Sequence, residues 1–211
     1  MAIDRTRPLL CFVHSVSALE PGLRLIERGA GGWETADIVQ VRGKGLPAGE
    51  LEALVERWIE AAGTAAVVVN DRADVAIATG AYGVHVGRAD LDPDAIRALA
   101  PGLAIGVSVH DRAELEAATG AGAAYAGLGA FYESRTKPEA QRLDPGPAGL
   151  LEPIPGLSIP VLAIGGITAA RVREVLSVPA VTGVAVSEAV QGAEDPGEAL
   201  GLLRSALDGA W

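Results

Sequence analysis

Short apolar runs, many of them β-branched, recur along the chain. Polar residues and then a segment of helical period follow most of them. Eight runs predict strands: Leu9–His14, Asp37–Arg42, Ala66–Asn70, Gly83–Val86, Ala104–Val109, Ala124–Leu128, Val161–Ile164 and Gly183–Val186. Four helices are predicted between and after them. Leu46–Ala62 carries Leu51, Leu54, Val55, Trp58 and Ile59 on one stripe, with Pro47 near its first turn. Asp111–Thr119 opens on an Asp cap and continues with Glu114, Leu115 and Ala118. Thr168–Leu176 opens on a Thr expected to cap it, and Pro196–Leu207 closes the chain. Strands alternating with helices predict a parallel sheet. No linker or low-complexity block divides residues 1–211, so the pattern predicts one domain, an α/β TIM (β/α)8 barrel. The alternative is an open doubly wound sheet, for which eight strands would be many.

In a TIM barrel the chemistry sits at the carboxyl ends of the strands. The polar residues follow that rule. Gln40 and Arg42 end the second strand, Asn70 and Asp71 the third, and His85 the fourth, with Asp90 in the loop beyond. Ser108 and His110 end the fifth strand, Gly165 and Gly166 the seventh, and Ser187 the eighth. Gln40 and Arg42 are two residues apart, so strand alternation points both to one side.

Composition narrows the function. The net charge of −10 argues against nucleic acid or a polybasic membrane contact, without excluding a local cationic pocket. The lone Cys11 sits in an apolar run and reads as a buried, inert thiol; with no second cysteine there is no intramolecular disulfide. No apolar run reaches membrane-spanning length, and a soluble cytoplasmic protein is expected. Of the 17 basic residues only Lys44 and Lys137 are lysines, and Asn70 is the single asparagine. All three fall at strand ends or in the loops that follow. A lysine kept in an arginine-rich chain suits phosphate, because its ammonium is a compact point charge with three donors.

Three groups carry candidate chemistry. Asp71 and Asp90 match a magnesium site, which needs one or two carboxylates and completes its shell with water and phosphate oxygens. The plainer readings are a helix cap for Asp71 and a turn residue for Asp90. The Gly165-Gly166 turn opens a helix and offers amides to a phosphate. Ser134-Arg135-Thr136-Lys137 lies in a long stretch, Gly129 to about Asp144, and reads as a diphosphate clamp or as a solvated basic turn. His85, His110 and His14 rank below these, a packed histidine being the commoner case.

The ordered set Gln40-Val41-Arg42-Gly43-Lys44, Asn70-Asp71-Arg72, Gly83 to Leu91, Ile105 to His110, Ser134 to Lys137, Ala163 to Ile167 and Gly183 to Val186 resembles the thiamine phosphate synthase family. The related thiazole tautomerase-like proteins share the fold. The likeness runs over roughly residues 36–190, and the first strand matches poorly. The resemblance implies a transferase that joins an aminopyrimidine methyl diphosphate to a thiazole phosphate and releases diphosphate. It implies that Gln40, Arg42, Lys44, Asn70, Ser108 and Lys137 hold the pyrimidine diphosphate, with Arg42, Lys44 and Lys137 as the catalytic cations. Asp71 and Asp90 would hold Mg2+. Ser134, Thr136, Gly165, Gly166, Val186 and Ser187 would meet the thiazole phosphate.

Three positions depart from the family pattern. Gly43 replaces an acidic residue, Ala130 to Glu133 replaces a Gly-Pro-aromatic-aromatic-Pro segment, and Ser187-Glu188 replaces an apolar residue followed by a phosphate-contacting Ser. A carboxylate beside a phosphate is repulsive. Two other readings stay open: a tautomerase-like paralogue, disfavoured by the retained Asp pair and by Ala130, and a non-catalytic binder of the same ligands. The sequence leaves the oligomeric state open, a homo-oligomer included.

Overall fold

Strand alternation and helical period combine into a closed parallel barrel, in strand order β1 to β8. The structure, a computed structural model, describes residues 6–133 and 154–211. The strands are β1 (Leu9–Ser15), β2 (Ile38–Arg42), β3 (Ala66–Asn70), β4 (Gly83–Val86), β5 (Ala104–Val109), β6 (Tyr125–Gly129), β7 (Val161–Ile164) and β8 (Gly183–Val186). Each expected strand is present, with ends shifted by at most a residue. β1 closes the ring by pairing Leu9 with Gly183 of β8.

The helices are α1 (Leu19–Arg28), α2 (Ala48–Ala61), α3 (Ala73–Thr79), α4 (Pro93–Leu99), α5 (Arg112–Gly120), α6 (Val172–Leu176), α7 (Glu188–Gln191) and α8 (Pro196–Asp208). Asp111 caps α5 through the amide of Glu114, as its sequence position suggests. Two details differ from expectation. Thr168 makes no side-chain cap bond, because a 3-10 turn, Ala169–Arg171, intervenes before α6. Pro47 sits at the N-cap of α2 rather than inside it. Helix α1 is hidden in sequence by Pro21-Gly22, which reads as a turn. Pro21 falls in the first turn, where a missing N–H costs nothing. Gly22 permits a close approach to α2, since a Cβ there would lie 3.0 Å from Leu54.

Alternation sorts the side chains into two cores. Leu9, Cys11, Val13, Ile38, Ala66, Val68, Tyr125, Leu162 and Ala185 fill the barrel. Leu10, Phe12, Val39, Val41 and Val84 face the helices. His14 has the second parity and is fully buried against α2, where Trp58 Nε1 donates to its Nδ1 at 2.7 Å. The indole can only donate. His14 Nδ1 therefore carries no proton and the proton sits on Nε2, which has no partner among the described residues.

Burial lowers the His14 pKa to about 4. A group held neutral in the fold and free to charge when unfolded costs stability as pH falls from 6.5 toward 4. We expect His14 to remove about 2 kcal/mol between pH 8 and pH 5. Denaturant titration at the two pH values checks this. The His14→Gln protein should show a correspondingly smaller loss, and an equal loss in both proteins would contradict it.

Candidate active site

The carboxyl ends of the strands open into a cavity of about 710 Å3, within the range of small-molecule sites. Inward parity delivers its polar lining: Gln40 and Arg42 from β2, Asn70 from β3, His85 from β4, and Ser108 with His110 from β5 and its end. Gln40 is buried and donates from Nε2 to Asn70 Oδ1 at 2.8 Å, which locks both amides. Arg42 donates from Nη1 to Ser15 Oγ at 2.9 Å and so stands across the mouth of β1. The expectation that Gln40 and Arg42 share one cavity holds.

Asp71 and Asp90 lie beside this cavity rather than in its lining. Asp71 should point outward by parity, yet it adopts φ 65, a left-handed conformation that Asp tolerates. Its amide donates to the carbonyl of His85 at 2.8 Å, fixing the turn. Asp71 is not the cap of α3; that position belongs to Arg72. Asp90 accepts from the amide of Gly87 at 2.7 Å, so its turn role is real as well. The two carboxyls face each other. Burial, and then the charge and hydrogen bonding of Asp90, raise the Asp71 pKa to about 6, while Arg42 and Lys44 pull it down. Four charges thus gather at the β2–β4 rim. Two carboxylates held together against their repulsion make a donor set that suits a hard divalent cation.

Lys44 lines a second, smaller cavity of about 290 Å3 with Ser15, Ser17, Arg42, Glu188 and Gln191. Gln191 has no sequence signal, but its Oε1 accepts from the amide of Ser15 at 3.2 Å and ties α7 to β1.

Across the main cavity stand Gly165, Gly166, Val186, Ser187 and Glu188. Both glycines have positive φ, 101 and 61. Neither position has room for a Cβ. Ala130 would lie 2.8 Å from a Cβ on Gly165, and the carbonyl of Glu133 2.5 Å from one on Gly166. The segment after β6 fills that space, with Tyr132 donating to the carbonyl of Gly165 at 3.1 Å. Arg171, missed in sequence because an Arg at a helix start reads as solvated, also lines the cavity. Its Nη1 donates to the Gly166 carbonyl at 2.6 Å and its guanidinium lies 4.2 Å from the Tyr132 ring. Ser134, Thr136 and Lys137 lie outside the described residues.

The sequence profile of thiamine monophosphate synthase matches residues 11–190. The chain belongs to that family. A thiamine-phosphate synthase of Methanoculleus marisnigri is 42% identical over 182 residues, covering 83% of each chain. That of Pyrococcus furiosus is 35% identical over 202 residues, covering 95% of each. A solved structure, thiamine phosphate pyrophosphorylase from Pyrococcus furiosus, superposes with a TM-score of 0.81 at 32% identity over 98% of both chains. The family match begins at Cys11, so it includes most of β1.

Proposed function

We propose that the chain joins 4-amino-2-methyl-5-(diphosphooxymethyl)pyrimidine to a thiazole phosphate, with release of diphosphate. Family membership makes it a transferase of thiamine biosynthesis. The observation that carries the residue-level reading is the convergence of Gln40, Arg42, Asn70 and Ser108 on one wall, with Lys44, Asp71 and Asp90 at the adjoining rim.

In this reading the Gln40–Asn70 pair presents fixed amides to the pyrimidine diphosphate. Arg42, already anchored on Ser15, and Lys44 meet the phosphate oxygens. Mg2+ held by Asp71 and Asp90 would neutralise the leaving diphosphate. The bond between the pyrimidine methylene and the diphosphate oxygen breaks, and the thiazole nitrogen then attacks the methylene cation. Arg42 and Lys44 act most strongly as negative charge collects on the departing oxygen. No protein nucleophile is needed. Cys11 cannot serve as one, because burial pushes its thiol far up and seals it inside the barrel. Lys137 would complete the cationic clamp, and Ser134 and Thr136 would meet the thiazole phosphate. A cytoplasmic location, where both phosphorylated precursors would be retained, fits this reading.

The acceptor's phosphate would approach Gly165, Arg171, Ser187 and Glu188. Glu188 is exposed but lines both cavities, and it shares the main one with Arg171. Glu188→Ser should therefore tighten thiazole phosphate binding about fivefold. The pyrimidine diphosphate should bind as before. Calorimetric titration of each ligand separates the two, and weaker thiazole phosphate binding in the variant would reverse the argument.

The function itself is tested by following diphosphate release with each substrate omitted in turn. Release at the full rate should require both. Release at the same rate without the thiazole phosphate would mean a hydrolase instead.

A further inference from the structure

A chain of three hydrogen-bonding side chains runs from the barrel interior to the cavity. Tyr125 is buried, and its hydroxyl lies 3.1 Å from His85 Nδ1. His85 Nε2 lies 2.9 Å from Ser108 Oγ, and Ser108 lines the cavity. Two glycines make the space. A Cβ on Gly106 would come within 2.3 Å of the Tyr125 ring, and one on Gly127 within 3.2 Å of His85. The three side chains sit on β6, β4 and β5, so the sheet itself fixes their spacing.

The direction of this chain is set at its buried end. Burial raises the Tyr125 pKa well above its ordinary value, so the phenol keeps its proton. Among the described residues its hydroxyl has one hydrogen-bonding neighbour, His85 Nδ1. If Nδ1 carried a proton, the phenolic O–H would be a buried donor without an acceptor and would bear the full desolvation cost. With Tyr125 donating, Nδ1 is bare and the ring proton sits on Nε2. That proton points at Ser108 Oγ. The serine hydroxyl then accepts from His85 and turns its own hydrogen away, into the cavity.

We infer that Tyr125 and His85 are positioning residues that fix Ser108 as a hydrogen-bond donor toward the diphosphate oxygens. The inference rests on the proposed substrate. A donor held in advance costs no reorganisation when charge develops on the leaving group. An unsupported serine could equally turn its hydrogen toward His85 and present lone pairs, which would repel the diphosphate.

Nitrogen-15 NMR of histidine-labelled, substrate-free protein tests this. The chain has three histidines, and His85 is assigned by its loss in His85→Gln. The expected signature is a pyridine-like Nδ1 and a protonated Nε2. A protonated Nδ1 in the wild-type protein would overturn the proposal. Tyr125→Phe should let the opposite tautomer appear and lower kcat by about tenfold. In a Ser108→Ala background the same change should cost nothing further, because its effect passes through Ser108. A full additional loss there would overturn the relay. The tautomer is read without substrate. An inactive wild-type enzyme would thus refute the proposed function and leave the direction of the relay to be judged on the spectrum alone.

Discussion

Asp71→Asn and Asp90→Asn each lose between about tenfold and a thousandfold in turnover, the range for removing one electrostatic stabiliser of a leaving group. Neither change should harm the fold. Asn tolerates the left-handed conformation that Asp71 adopts. At position 90 an amide oxygen can still accept from Gly87. Burial is the larger cause of the raised Asp71 pKa, but the repulsion between Asp71 and Asp90 that adds to it disappears in both variants, so the metal-free variants should melt no lower than the wild-type protein. Magnesium should raise the melting temperature of the wild type, since a ligand that binds only the native state stabilises it by mass action. It should do so much less in either variant. Full turnover in both variants at limiting magnesium, with an unchanged magnesium-induced shift, would remove the metal from this site.

Asp37→Ala should destabilise the fold by about 3–5 kcal/mol, the cost of leaving a buried charge without its partner. Asp37 stands at the start of β2, at the end of the barrel opposite the cavity. Its carboxylate accepts from the amide of Leu10 at 2.7 Å, from Arg7 at 2.8 Å and from Arg204 of α8. Arg204 is itself buried and donates to the carbonyl of Pro8 at 2.8 Å. The cluster ties β1, β2 and the last helix together. Removing Asp37 strands the Arg204 guanidinium, whose other carboxylate, Asp208, is 3.5 Å away and half exposed. Replacing both partners, Asp37→Leu with Arg204→Met, should recover much of the loss because no lone charge remains. Urea denaturation measures the stability, and kcat per folded molecule should stay at the wild-type value. A loss under about 1 kcal/mol would mean that water reaches Arg204.

The strands were legible because a barrel strand has two buried faces and a sharp end. Apolar runs such as Val67-Val68-Val69 stop at Asn70, and the polar terminus is also the functional one. Parity placed Gln40, Arg42 and Ser108 correctly for the same reason. Asp71 could be placed only from its chemistry, since parity points it away and one left-handed residue brings it back. Short helices were harder. Ala73–Thr79 and Pro93–Leu99 are two turns each, too brief for a stripe to stand out, although Asp92-Pro93 is a readable start for the second. Arg171 and Gln191 gave no signal, because their roles depend on partners distant in sequence or on a turn that only the folded chain makes. The glycines at 165 and 166 line the cavity and also serve the packing. Their pattern shows that something approaches closely, and here it is the chain's own segment after β6.

The most direct test of the central claim is the stoichiometry of products from the purified protein, given both substrates and magnesium. Thiamine phosphate, read by oxidation to its fluorescent thiochrome, should accumulate mole for mole with diphosphate. Binding of both ligands with no thiamine phosphate formed would contradict the account and make the barrel a binder of these precursors.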